Sequence, residues 1–382
     1  MTKPLNLVIF SANYLPNIGG VERFTEGLAF GLRRLGHRVT IVTNNTFKLA
    51  GYEELCSGVS IARLPCFPFL HGRLPFPNAN SEFRKLLEQL MGEPCDGVLI
   101  NTRFYIHALL GLKFASKKAV APVLLDHGSA HLTFGNAFLD MFVQAYEHCI
   151  TAVVKRCNPE FYGVSQKSVE WLEHFGIKAR GVISNSIDAA AYRAQASNRS
   201  FRSELNIGDE LMLAFTGRFI PEKGIAILVD MMRRLQGERV HLVMAGDGPF
   251  RGMVEDASLD AIHMVGRLDA ADIAALLLES DLFCLPTRSE GFSTSLLEAA
   301  ACGTPSLVTD VGGARELMPD ESYGFVMPTA DAGAFASIIC RILRGKFDLS
   351  SMGDRCRNRV EEFCSWDATA RQLIKAMRLD CC

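Results

Sequence analysis

The stretch that most limits how this chain can fold runs from Leu282 to Gly303. Leu282-Phe283-Cys284-Leu285 is a short apolar run of the kind that forms a buried strand. Pro286-Thr287-Arg288-Ser289-Glu290-Gly291 is polar and interrupts it. Leu296, Leu297, Ala300 and Ala301 then recur at helical spacing. Ser293 or Thr294 can cap that helix, and Gly303 followed by Pro305 ends it. The loop delivers backbone N–H groups from Gly291 through Phe292, Ser293 and Thr294 to Ser295 at a helix N-terminus, where unpaired donors and the helix dipole suit phosphate oxygens.

Two acids flank those amides. Glu290 precedes the helix and Glu298 lies about two turns in, so both cannot face one phosphate, which would repel them. Carboxylates accept hydrogen bonds from hydroxyls, and a pyrophosphate between two polyols matches the order acid, amides, acid. As ordinary residues, Glu290 would be a helix N-terminal charge and Glu298 part of a solvated face.

Strand, loop and helix repeat along the chain, as in a helix-covered parallel sheet. Leu5 to Ser11 reads as a strand, followed by a long loop, Gly19-Gly20 and a helix marked by Val21, Phe24, Leu28, Leu32 and Leu35; Arg38 to Thr43 is the next strand. Gly-x-Gly-x-x-Gly is absent, so this opening is no dinucleotide fingerprint. Strands follow at 59–64, 97–101, 121–126, 161–164 and 180–184, with helices at 103–118, 138–156 and 166–175. The strand ending at Asp126 leads into His127-Gly128-Ser129, and a polar cluster at the C-terminal end of a parallel strand is where open α/β sheets bind ligands. After a polar segment, 189–209, the pattern restarts with a strand at Leu211 to Thr216. Arg218 and Lys223 lie on the loop after it, before the helix Ile225 to Leu235; two cations there fit a diphosphate. Gly246-Asp247-Gly248-Pro249 is a tight turn after the strand 240–245, and Gly266-Arg267-Leu268 follows the strand 262–265. The remaining strands are expected at 305–309 and 323–326, and the remaining helices at 330–343, 351–364 and 366–379. Pro65 to Pro77 holds four prolines after Leu64 and reads as irregular; its apolar character suits a flap touching lipid, or a loop packed on its own domain.

The chain's 382 residues allow two or three domains. A formal net charge of −2 gives no bulk electrostatic case for nucleic acid. Twelve cysteines show no Cys-x-x-Cys or Cys/His ligand pattern, and Cys284 and Cys302 fall on apolar faces, which reads as reduced thiols in a cytoplasmic protein. Cys381-Cys382 reads as a reactive tail rather than a lipidation site. No apolar run approaches a membrane span, and the start of the chain reads as a buried strand rather than a signal peptide.

Taken together, Gly19-Gly20-Val21-Glu22, His127-Gly128, Asn185-Ser186-Ile187-Asp188, Gly217-Arg218 to Lys223-Gly224, Gly246-Asp247-Gly248-Pro249, and Glu290-Gly291-Phe292 to Leu297-Glu298-Ala299 resemble glycosyltransferase family 4, in the family's order and over nearly the whole chain. The resemblance implies the α/β GT-B fold: two Rossmann-like, doubly wound parallel-sheet domains facing a central cleft. The domains would be 1–188 on the acceptor side and 189–365 on the nucleotide-sugar side, with 366–382 a helix crossing back to the first. It implies retaining transfer of a hexose-type sugar from a UDP- or GDP-sugar donor to a glycan or lipid-linked acceptor, in cell-envelope polysaccharide or glycolipid synthesis. It implies no metal or other cofactor, in keeping with the lack of Asp-x-Asp, and a cytoplasmic enzyme, peripheral on the inner face of the membrane through its N-terminal domain. By match to the motifs, Arg218 and Lys223 hold the diphosphate, Glu298 the ribose and Glu290 the transferred sugar; His127 sits over that sugar, and Gly20 lines the cleft from the acceptor side. Arg267, Leu268 and the run Gly291, Phe292, Ser293, Thr294 and Ser295 complete the donor contacts, and His127, Arg218, Lys223 and Glu290 form the catalytic set. Ser186 stands where the family usually has Gly, and Ser293 where it often does. A nucleotide-sugar epimerase on the same frame would isomerise donor without acceptor, and a non-catalytic sensor would never release nucleoside diphosphate.

Overall fold

The computed structural model describes residues 3–17, 19–55, 58–69, 72, 74–131 and 137–379. Cys56, Cys381 and Cys382, and three residues of the 65–77 segment, lie outside these. The chain divides into two compact units, Met1–Ser186 with Trp366–Cys382, and Ile187–Ser365.

The first unit runs β1 (Asn6–Ser11), α1 (Gly20–Arg34), β2 (Arg38–Asn44), β3 (Tyr52–Glu54), β4 (Val59–Leu64), β5 (Cys66–Phe69), β6 (Leu74–Pro77), α2 (Ser81–Gly92), β7 (Gly97–Asn101), α3 (Ile106–Lys117), β8 (Pro122–Asp126), α4 (Ala137–Arg156), β9 (Glu160–Gly163) and α5 (Gln166–Glu173). Its main sheet has the order β3-β4-β2-β1-β7-β8-β9, parallel except for β3. The inner strands are apolar along their length because helices cover both faces, and Phe10, Ile100, Leu124, Phe114 and Val154 pack in one core.

The second unit runs α6 (Ala189–Ala194), α7 (Phe201–Glu204), β10 (Leu211–Thr216), a single 3-10 turn (Pro221–Lys223), α8 (Ile225–Arg234), β11 (Val240–Ala245), α9 (Arg251–Asp256), β12 (Ile262–Gly266), α10 (Ala270–Glu279), β13 (Leu282–Leu285), α11 (Thr294–Cys302), β14 (Ser306–Thr309), α12 (Ala314–Leu317), β15 (Gly324–Met327), α13 (Ala332–Leu343) and α14 (Leu349–Phe363). Its sheet is wholly parallel, in the order β12-β11-β10-β13-β14-β15. Cys284 and Cys302 are buried among its apolar side chains, and burial pushes both thiols' pKa up.

The last helix, α15 (Trp366–Ala376), belongs to the first unit and packs on α1. Gly27 and Gly31 lie one turn apart on α1 and leave a slot for Trp366; a Cβ at Gly27 would stand 2.1 Å from the indole. Phe24 meets the same indole edge-on at 5.8 Å. Thr369 Oγ1 donates to the Ser184 carbonyl at 3.0 Å, and the Ser184 N–H donates to Gln372 Oε1 at 3.1 Å.

Three sequence expectations are corrected. The strand expected at 180–184 shrinks to an isolated bridge between Gly163 and Val182, because α15 side chains take the bonding groups of Ser184. The polar segment 189–209 holds two short helices, capped by Asp188 and Ser200 and anchored by buried Tyr192 and Phe201; faces with so few apolar residues leave no periodic signal. The proline-rich segment forms an antiparallel hairpin of β5 and β6. Pro68 pairs with Pro75 and Cys66 with Pro77, while Phe67–Phe76 and Phe69–Leu74 are the intervening pairs. All three strand prolines thus fall in one alternate class of position, where the backbone nitrogen points away from the partner strand and no ladder bond is lost. Phe67 and Phe69 are exposed on this hairpin.

Candidate active site

In the second unit, β10, β11 and β12 add outward in one direction, and β13 then returns to the other side of β10. The crevice between β10 and β13 is therefore a topological switch point, where the loops after two neighbouring strands part and leave room for a ligand. The loop after β10 carries Arg218 and Lys223; the loop after β13 carries Glu290 and leads into α11.

These loops are tied together. The Glu222 carbonyl accepts from Thr287 Oγ1 at 2.9 Å and from the Arg288 N–H at 2.8 Å. Gly224 has φ +73°, and a Cβ there would lie 2.2 Å from the Pro286 carbonyl oxygen, so only glycine lets the two backbones approach this closely. Lys223 Nζ donates to Glu290 Oε1 in a largely buried ion pair. On the far side, Gly313 packs close to Phe292, where a Cβ would stand 2.2 Å from the ring.

Ser293 is the N-cap of α11; its Oγ accepts from the Leu296 N–H at 3.3 Å, and its φ of −69° requires no glycine. Thr294 and Ser295 open the first turn, where backbone N–H groups lack intrahelical acceptors. Ser295 Oγ donates to the Thr216 carbonyl at 3.3 Å, which joins the helix start to the end of β10. Glu298 is only 7% exposed, which rules out a solvated face position. Arg218 is exposed and has no side-chain partner among the described residues. Arg267 is exposed at the rim and lies 3.6 Å from Asp247, with half-buried Leu268 beside it. Thr216 Oγ1, Thr309 Oγ1 and Asp310 Oδ1 are buried without a partner among the described residues, at the C-terminal ends of β10 and β14, the side on which a ligand would supply the missing bonds.

The first unit has its own switch point, between β1 and β7. With Asn101 Nδ2 donating to Thr25 Oγ1 at 2.9 Å, Asn101 Oδ1 accepts from His127 Nε2–H at 3.0 Å. This assignment leaves the lone pair on His127 Nδ1. Loss of hydration lowers the His127 pKa to about 3, so the ring stays neutral. Below it, buried Arg103 pairs with buried Asp126 at 2.5 Å, and Asp126 Oδ1 accepts from the Gly128 N–H at 2.9 Å. Gly20 opens α1, is exposed, and among the described residues no other part of the chain comes within 4 Å of where its Cβ would stand. Asn101, Thr25, Arg103 and Asp126 were not among the expected site residues. The one sequence signal for Asn101 and Asp126 is their place at the C-terminal ends of β7 and β8.

Two family descriptions match the chain: Glycosyltransferase Family 4 over residues 18–191, and Glycosyl transferases group 1 over residues 210–345. The chain belongs to glycosyltransferase family 4. Among its relatives, the GPI3 subunit of phosphatidylinositol N-acetylglucosaminyltransferase from Saccharomyces cerevisiae is 24% identical, over 97% of this chain and 82% of that one. Among solved structures, Anabaena HepE in complex with UDP-glucose superposes with a TM-score of 0.73 at 18% identity, over 98% of this chain and 100% of that one. Sucrose-phosphate synthase from Thermosynechococcus elongatus gives 0.70 at 20% identity, over 98% of each. These likenesses fix the fold as GT-B. The family 4 chain is a glycosyltransferase, and among its described residues no helix is long and apolar enough to cross a membrane.

Proposed function

We propose that this enzyme moves a hexose-type sugar from a nucleoside diphosphate sugar to a glycan or lipid-linked acceptor, with retention at the anomeric carbon and without a metal at the donor. The observation that carries the reading is the convergence, at the β10/β13 switch point, of Lys223, Glu290 and the first turn of α11. The α11 amides and Lys223 suit the diphosphate oxygens. Exposed Arg218 adds a second cation from the same loop. Glu298 takes the ribose hydroxyls and Glu290 those of the transferred sugar, while His127 serves the sugar and Gly20 the acceptor side. The HepE structures hold UDP and UDP-glucose, which supports a nucleotide-linked donor. The name of the yeast relative, with its phosphatidylinositol acceptor, supports a lipid-linked one.

In the proposed step, the bond from the anomeric carbon to the phosphate oxygen breaks. The acceptor oxygen bonds to that carbon on the same face, and its proton passes to the departing phosphate oxygen. Arg218 and Lys223 stabilise the charge that develops there. Synthesis of envelope polysaccharide or glycolipid, at the inner face of the membrane, is the setting this reading favours, with the exposed Phe67 and Phe69 hairpin as the apolar contact. Acceptor-dependent release of nucleoside diphosphate, with the product anomer read by proton NMR, tests it. A retained anomer supports the step, an inverted one removes it, and isomerised donor in the absence of acceptor would mean an epimerase.

A further inference from the structure

Away from the donor loops, the first unit gathers three histidines from three elements. His131 follows β8, His148 lies on α4 and His174 is the C-cap of α5. Their rings form a near-equilateral triangle, with centroids 5.6 Å apart for His131–His148 and 5.2 Å for each of the other two pairs. One nitrogen from each lies within 4.8 Å of the other two. From these positions we propose that His131, His148 and His174 bind a zinc ion.

The hydrogen bonding around His131 favours this. Its Nδ1 lies 2.5 Å from Glu147 Oε2, and Glu147 is buried. A carboxylate on one ring nitrogen fixes the tautomer, orients the ring and leaves Nε2 with its lone pair for a cation, the arrangement common behind zinc-bound histidines. Glu147 is held in turn by Arg103 at 3.4 Å, and Arg103 by Asp126. Two buried carboxylates, Asp126 and Glu147, face one buried guanidinium beside the three rings, a setting that favours a bound cation.

Geometry permits closure. Tetrahedral zinc with nitrogen ligands at about 2.1 Å draws those atoms to roughly 3.4 Å from one another. His148 and His174 are exposed, so rotation about their side-chain bonds can close the set, at the expense of the His174 ring's stack on Trp171. Imidazole nitrogens suit zinc among the available divalent ions, and water completes the fourth position. The ion would clasp the loop after β8, α4 and α5 together. His131 lies four residues after His127 in the chain, and its network ends on Asp126, so the clasp steadies the loop that carries His127. No step of sugar transfer runs through the ion, and the inference stands independently of the donor reading.

The test is a calorimetric titration of the metal-free full-length chain with Zn2+ in the presence of a competing chelator. One equivalent should bind, and His148→Ala and His174→Ala, both at exposed positions, should each weaken it by about 100-fold or more. His241→Ala should leave it unchanged; His241 and His263, 3.0 Å apart in the second unit, are the rival pair. The Co2+ form of the wild type should show the visible absorption bands of tetrahedral cobalt, and the His174→Ala form should lose them. Absence of saturable binding, binding unchanged in both ligand variants, or binding abolished by His241→Ala would overturn the proposal.

Discussion

Lys223 and Glu290, 67 residues apart in sequence, form an ion pair across the loops after β10 and β13. The expectation from sequence gave one to the diphosphate and the other to the sugar. The structure makes them a unit, so they should not act additively. Lys223→Ala and Glu290→Gln should each lower kcat by roughly two to three powers of ten. The double variant should lose little more than the worse single one, because each change already disables the other partner. Steady-state kinetics on the four proteins measures the coupling, and fully multiplicative losses would show that the pair acts as two separate groups.

Arg218 offers the complementary case. It is exposed and has no side-chain partner among the described residues, so folding owes it little. Arg218→Ala should leave the melting temperature within about 1 °C of wild type, because a surface change of this kind stays within ±0.5 kcal/mol. Turnover should fall by roughly two to three powers of ten if the guanidinium meets charge on the leaving phosphate. Wild-type turnover in this variant would remove it from the catalytic set.

The α1–α15 contact predicts a stability effect that runs against helix propensity. Gly27→Ala should gain up to about 1 kcal/mol from propensity alone. The new methyl would instead stand 2.1 Å from the Trp366 indole, so the net change should be a loss of about 1–3 kcal/mol. In a Trp366→Ala background the same substitution should become neutral or stabilising. Chemical denaturation of the wild type and the three variants shows whether the slot or the propensity dominates.

His107 gives acid sensitivity a definite sign. It is 1% exposed, its Nε2 lies 2.9 Å from the Val42 carbonyl, and burial lowers its pKa to about 4. Between pH 6.5 and 4 the unfolded chain holds a proton on this ring that the folded chain refuses. Its contribution therefore falls as pH falls through that window, by about 1.4 kcal/mol per pH unit. His107→Leu should flatten the pH dependence of unfolding free energy there by that amount, whatever its cost at neutral pH. An unchanged slope would mean that the ring titrates normally.

The sheets were legible because strands covered on both faces read as unbroken apolar runs, such as Leu7 to Phe10 and Leu282 to Leu285. The positions of Lys223, Glu290 and Ser293 in the second unit were legible because they sit at fixed offsets from a strand end or helix start. What escaped were pairings between distant residues. Arg103 read as the first residue of a helix, yet it is a buried cation whose partners, Asp126 and Glu147, lie 23 and 44 residues on. The β5–β6 hairpin escaped because prolines were counted without their alternation; opposite partners show that all three occupy outward positions. Gly27 and Gly31 also went unread, because Trp366, which fills the slot they leave on α1, lies at the other end of the chain.

The most direct test of the account is the melting temperature of the chain with UDP, GDP and ADP, run on the wild type and on Arg218→Ala/Lys223→Ala. A ligand that binds only the folded state raises the melting point, by about 2.7 kcal/mol of added stability at a concentration 100 times its Kd. One of the three nucleotides should raise it in the wild type and have no effect on the double variant. No rise with any of them, or an equal rise in the double variant, would contradict the placement of the diphosphate between the β10 and β13 loops.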